Sequence, residues 1–156
     1  MQSAPILPAS RREGGPAVDI FGTVTVELET LEEGQVLLRV IYLSLDPYMR
    51  GRMSAAKSYA ASAAVGAVLM GGTVCEVLEY RDPGFAAGDV VLSYYGWQTH
   101  AVADGDHLRK LDPAKARIDT AVGVLAQPGF TAYAGLLGMG RAQDGETAVV
   151  AHPNGR

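Results

Sequence analysis

A run of aliphatic and β-branched residues from Val36 to Leu45 ends abruptly at Asp46-Pro47. Such a run reads as a buried central strand. Proline then fixes its own φ and biases Asp46 away from helical geometry, so the chain must turn at the strand's end. The turn carries Tyr48, Met49, Arg50, Gly51, Arg52 and Met53, which concentrates aromatic, polar and cationic groups in a few residues. Loops and strand ends of this kind commonly carry site residues. Local physics alone favours a simpler role, a capped turn over the core with Arg50 paired to Asp46.

The remaining sequence extends the pattern. Residues 1–18 read as a short edge strand and a loop, and Gly22 to Leu28 as a half-buried strand. Val65 to Tyr80 predicts two strand-like pieces around Gly71-Gly72, where a bulge or bend is expected. Ser54 to Ala64, rich in Ala and Ser, reads as a loop or weak helical turn. Asp82-Pro83-Gly84 and Phe85-Ala86-Ala87-Gly88-Asp89 are turns. Strands follow at Val90 to Leu92, after Tyr95-Gly96-Trp97 through Val102, and at His107 to Leu111. The pattern then becomes helical. Asp119 is placed to cap a helix through Leu125, and Pro128 suits the first turn of a second, from about Phe130 to Leu137. Gly138 and Gly140 are expected to end it. Thr147 to Ala151 begins a buried strand that has no sheet of its own. Strands about ten residues apart, followed by two helices, predict a mainly β fold, a small distorted β-barrel with flanking helices.

Composition narrows the function. The chain has 156 residues, of which 48% are apolar, enough for one domain with a sizeable core. Its net charge is −4 and its cations form no cluster or stripe, which argues against nucleic acid as partner. The longest apolar region, Ala60 to Met70, is far shorter than the about 20 residues of a membrane helix, so no membrane partner is expected. Met1 to Arg12 lacks the apolar stretch of a secretory signal. Cys75 is the single cysteine, so no internal disulfide can form and the expected compartment is the cytoplasm. The same count excludes a multi-cysteine zinc site. His100, His107 and His152 lack ligand spacing, so no metal is expected.

Catalytic and nucleotide motifs are also sparse. Cys75 sits in a strand pattern and reads as a buried, inert thiol. No Gly-x-Ser-x-Gly elbow occurs. Gly135 to Gly140 is glycine-rich but ends a helix, whereas the dinucleotide fingerprint must open one after a strand. Tyr95, Trp97 and the neighbouring glycine bend suit either core packing or an aromatic rim around an apolar pocket.

Taken in order, Tyr42 to Met53, Gly71-Gly72-Thr73-Val74, Gly88-Asp89-Val90-Val91, Gly96-Trp97 and Pro128-Gly129-Phe130-Thr131-Ala132-Tyr133 resemble the zinc-independent medium-chain dehydrogenase/reductases. The nearest branch is that of the NADPH-dependent double-bond reductases acting on prostaglandins, leukotrienes, curcumin and alkenals. The resemblance runs from about Ile20 to Val150. It implies a GroES-like domain over 1–118, linking helices over 119–145, and the first strand of a Rossmann domain over 146–156, with the rest of that domain absent. It also implies an oxidoreductase that reduces the C=C bond of α,β-unsaturated ketones or aldehydes with NADP(H).

By position, Tyr48 resembles the tyrosine packed near nicotinamide and substrate, and Thr131 the threonine near the carboxamide. Tyr95 and Trp97 fall on the substrate side. Asp46 and Arg50 are expected to hold the turn, and no residue is assigned a catalytic step. The expected ligand is a small apolar enone or enal. The family's phosphate-binding loop has no counterpart here, so the chain reads as truncated and inactive alone. Two other roles remain open. One is a stand-alone GroES-like domain that binds, isomerises or cyclises a small apolar carbonyl compound without a redox cofactor. The other is an interaction role in which Thr147 to Ala151 pairs with a second copy to form a homodimer.

Overall fold

The computed structural model describes residues 1–10, 18–54 and 61–149. The expectations that rest on Tyr59, on His152 and on Val150 and Ala151 fall outside these residues. Among the described residues, nine strands and two short α-helices follow one another as β1 (Gln2–Ser3), β2 (Ile6–Pro8), β3 (Phe21–Thr23), β4 (Val26–Glu27), β5 (Gln35–Leu43), α1 (Pro47–Arg52), β6 (Thr73–Tyr80), β7 (Val90–Ser93), β8 (His100–Asp104), β9 (Arg109–Leu111) and α2 (Gln127–Tyr133).

The main sheet is antiparallel in the order β8-β5-β6-β7-β9. β5 is its longest strand and pairs on both sides, which is why its sequence is apolar almost throughout. Val36, Leu38, Cys75, Val77, Val91 and Ala103 form the buried cluster on one face, with Val40, Phe85, Tyr95 and Leu108 packed against it. The opposite face carries the Arg39–Glu76 ion pair across β5 and β6, and Leu37 there is buried as well. Burial of a side chain such as Leu38 or Val77 contributes roughly 1.5–3 kcal/mol, so this cluster holds the fold. Register shifts at Leu37/Leu38 and Val40/Tyr42 add local twist to the central pair.

The sheet is open: no closed barrel is formed among the described residues, and β1–β4 and β2–β3 are separate two-stranded ribbons. Residues 3–6 nevertheless run along the outer edge beside β8. The Ser3 hydroxyl donates to the His100 carbonyl at 2.6 Å and accepts from the His100 N–H at 3.2 Å. Ala4 N–H donates to Thr99 Oγ1 at 3.0 Å and Ile6 N–H to the Trp97 carbonyl at 2.8 Å. Two hydroxyls stand in for ladder groups. They cover the sheet edge without extending the sheet.

Several elements differ from expectation. Val65 to Met70 forms no strand, and β6 begins only after Gly71-Gly72. Asp119 caps no helix, because its carboxylate takes two hydrogen bonds from the Arg117 guanidinium at 2.9 and 3.2 Å. The result is a single 3-10 turn, Ile118–Val122. The second helix starts three residues earlier than expected, at Gln127, and continues as wide π-type turns over Ala134–Met139. Beyond Gly140 the left-handed residue is Arg141, with φ 50°. Thr147 to Val149 form no strand with any of the described residues; Val149 is 87% exposed.

Two consequences are measurable. Gly96 has φ +80°, and a Cβ there would lie 2.0 Å from the Leu69 carbonyl oxygen. Gly96→Ala is expected to cost at least about 2 kcal/mol in urea unfolding. Burial raises the Cys75 thiol, against the lowering effect of its hydrogen bonds to Thr73 and Ser93. The stability this thiol contributes is present in full below its ordinary unfolded value and is lost as pH rises from there through the raised folded value. Modification of Cys75 by a thiol reagent at pH 8 is therefore expected to follow global unfolding. Rapid reaction of the native protein would contradict its burial.

Candidate functional site

Asp46 is extended, with φ −99° and ψ 146°, and Pro47 opens α1 immediately after it. The predicted turn is therefore a six-residue helix, compatible with proline because the first turn needs no N–H from it. Asp46 does not cap this helix; its carboxylate accepts from Ser44 Oγ at 2.8 Å. The same hydroxyl reaches the Val122 carbonyl at 3.4 Å. Ser44 thereby ties the end of β5 to the Ile118–Val122 turn.

α1 is anchored by Met49, which is buried over Gly71. A Cβ on Gly71 would come within 2.5 Å of Met49 Cε and 3.4 Å of Trp97 Nε1. The missing side chain is what lets the helix approach. Gly72, next to it, is enclosed by Tyr94, Ser44 and Val122, each 3.7–3.8 Å from the position of its Cβ. Gly72 is therefore the floor of a narrow cleft lined by Ser44, Asp46, Tyr48, Tyr94, Gln127 and Pro128 among others. The cleft holds about 30 Å³, room for a water or two and an order of magnitude below an ordinary ligand pocket.

Beneath the floor lies a buried hydroxyl and thiol cluster. Thr73 Oγ1 and Ser93 Oγ are 2.6 Å apart, and the Cys75 thiol donates to Thr73 Oγ1 at 3.4 Å. These bonds satisfy the polar groups that would otherwise be stranded in the core. They lock β6 to β7 at the point where Gly72 and Tyr94 leave the sheet.

The four residues singled out from sequence take different places. Tyr48 is half-buried and lines the cleft. Thr131 lies one turn along α2 from Gln127 and donates its hydroxyl proton to the Gln127 carbonyl at 2.8 Å. Tyr95 and Trp97 are not part of this lining. Tyr95 packs on the core cluster, and its hydroxyl accepts from the Asp104 N–H at 3.2 Å. Trp97 stacks on Phe21, with ring centroids 5.8 Å apart, and its buried Nε1 has no hydrogen-bond partner among the described residues. Tyr94 is the aromatic residue of that tract that faces the cleft. The two-residue period after the buried Ser93 sends Tyr94 outward and Tyr95 inward, a signal available in the sequence. Ser44 and Val122 carried no such signal, because their pairing depends on contact across 78 residues. Arg50 lies on α1 beside Met49 and is not among the cleft-lining residues.

Among the described residues, no three or more His, Cys, Asp or Glu side chains are grouped to hold a metal ion. None of the helices they form is long and apolar enough to cross a membrane.

The family model described as N-terminal domain of oxidoreductase matches residues 6–111. The NADPH-dependent curcumin reductase of Escherichia coli (strain K12) is 48% identical over 147 residues, 94% of this chain and 43% of that protein. Prostaglandin reductase 1 of Rattus norvegicus is 38% identical over 141 residues, 88% of this chain and 41% of that protein. The crystal structure of CurA from Vibrio vulnificus in complex with NADPH superposes with TM-score 0.83 at 44% identity, covering 92% of this chain and 42% of that one. The chain thus spans about two-fifths of the length of these relatives.

The cleft wall at Gln127 and Pro128 depends on a close backbone approach. A Cβ on Gly129 would sit 1.7 Å from the Val124 carbonyl oxygen. Gly129→Ala is expected to displace the start of α2, shifting the amide resonances of Val124, Gln127 and Tyr94 and costing about 1–3 kcal/mol. An unperturbed Tyr94 resonance would show that α2 does not bear on the cleft.

Proposed function

The chain belongs to the N-terminal oxidoreductase domain family of the medium-chain dehydrogenase/reductases, in the branch of the NADPH-dependent double-bond reductases, and from that premise we propose that it forms the substrate-side wall of an enone reductase. One observation carries this reading. The Asp46-Pro47-Tyr48 segment and the Gln127-Pro128 segment, about 80 residues apart in sequence, meet over Gly72 in one cleft.

The residues present suit a nicotinamide cofactor. Gly72 offers a floor without a side chain, and Tyr48 presents an aromatic ring and a hydroxyl beside it. The Thr131 hydroxyl spends its proton on the Gln127 carbonyl, so its lone pairs remain to accept from an amide N–H such as a carboxamide's. Tyr48 and Thr131 are the residues we assign to NADP(H). When bound, NADPH supplies the hydride that the β-carbon of an α,β-unsaturated ketone or aldehyde accepts. A hydroxyl such as that of Tyr48 suits the negative charge that develops on the carbonyl oxygen. Tyr95 and Trp97 act on the substrate side from behind, by fixing the strand end that carries Tyr94.

Among the described residues, no strand–glycine turn–helix unit is present to grip a pyrophosphate. This chain alone is expected to consume no NADPH with an enone. A cofactor-free role in binding, isomerising or cyclising an apolar carbonyl compound has less support, because the relative 48% identical over 94% of this chain is an NADPH-dependent reductase.

A chimera provides the test. The 147-residue matching segment of this chain replaces its counterpart in the Escherichia coli curcumin reductase, and NADPH-dependent reduction of curcumin is followed. Turnover is expected, and Tyr48→Phe in the chimera is expected to lower kcat/KM by on the order of tenfold. A folded chimera without turnover, or full activity in the Tyr48→Phe variant, would refute the assignment.

A further inference from the structure

The Ile118–Val122 turn borders a second and larger depression. It has a volume of about 320 Å³ and is lined by Arg109, Leu111, Lys115, Arg117, Ile118 and Leu125 among others. Its volume reaches the lower end of small-ligand pockets. Leu111 and Ile118 are half-buried, and Leu125, 61% exposed, adds apolar surface at the side. The charge is one-sided. Arg109, Lys110, Lys115 and Arg117 line the groove with a single carboxylate, Asp112, in a chain of net charge −4.

These cations are not equally committed. Lys110 is held by Asp89 at 2.6 Å, and Arg117 by Asp119 through two hydrogen bonds. Lys115 has one exposed pair with Asp112 at 3.5 Å, worth little in water. The Arg109 guanidinium has no hydrogen-bond or ion-pair partner among the described residues. An unpaired arginine fork and a weakly paired lysine thus stand over an apolar floor. The fork suits a carboxylate through two parallel N–H···O bonds.

We propose that this groove binds a free single-chain carboxylate of medium length. Its head group is held by Arg109 and Lys115, and its chain lies along Leu111, Ile118 and Leu125. The site is separate from the Gly72 cleft; the two share the Ile118–Val122 turn, with Ala121 contributing to both.

Octanoate is the probe, titrated into the 156-residue chain and followed by amide NMR. Saturable shifts are expected at Arg109, Ile118 and Leu125, with Tyr48 and Tyr94 unmoved. Arg109→Gln, a surface change, is expected to weaken binding about tenfold, and Leu125→Asp is expected to weaken it as well. Spectral dispersion of each variant reports that it has folded. The proposal is overturned by the absence of saturable shifts at the groove up to about 10 mM, where a millimolar site would be mostly filled. Shifts centred on Tyr48 and Tyr94, equal binding of octan-1-ol, or the same shifts with inorganic phosphate would overturn it too.

Discussion

The pairing of β5 with β6 is the constraint on which the rest of the molecule depends. β5 is bonded to neighbours on both sides, and the fully buried Val36, Leu38, Val74, Cys75 and Val77 all lie on this pair. A strand bonded on both edges and buried over much of its length leaves little register freedom, because a one-residue slip would exchange the Val36 and Leu38 face for the Arg39 face. The site inherits that precision. Leu43 opposite Thr73 fixes where β5 ends relative to where β6 begins. It follows that Ser44 and Gly72, which continue those strands, must be adjacent, and the Ser44 N–H donates to the Gly72 carbonyl at 2.8 Å.

What the strand ends build follows from residue size. Two successive glycines admit two different neighbours: Met49 descends onto Gly71, while Tyr94, Ser44 and Val122 close around Gly72. A side chain at the first would press on the helix that carries Tyr48. At the second it would enter the space between Tyr48 and Tyr94. The Thr73–Ser93–Cys75 cluster directly below gives the floor directional bonds. Apolar packing alone would not fix it so closely.

Legibility in the sequence followed the range of the interactions. The central strands, the proline-driven turn after β5 and the inert buried thiol were readable because each follows from a run of neighbouring residues. The first helix was not. Asp119 has the chemistry of an N-cap, but Arg117, two residues away, offers it a charged partner, and a charge-assisted pair outcompetes a capping bond to a backbone N–H. The open sheet was hidden for a related reason. The residue types of the N-terminal segment suit strands, yet Ser3 and Thr99 use their hydroxyls where a barrel would use backbone groups. At the site, Tyr48 and Pro128 could be named individually from family resemblance. Their meeting over Gly72 is a tertiary fact. Tyr94 was within reach of simple alternation from Ser93 and was overshadowed by Trp97, the single tryptophan.

The arm from Gln127 to Met139 poses the opposite physical situation to the sheet. None of its residues is buried, and Phe130, Tyr133 and Met139 are 71%, 66% and 84% exposed. Helices this short are marginal in water and normally owe their stability to an apolar face packed on something else. The same arm supplies Gln127 and Pro128 to the cleft and Thr131 to its proposed cofactor side. One wall of the cleft, Gly72 with Tyr48 and Tyr94, is therefore fixed by the core of the sheet. The other reaches the sheet through contacts that include that of Ser44 with Val122, so the width of the cleft depends on how firmly the arm is held.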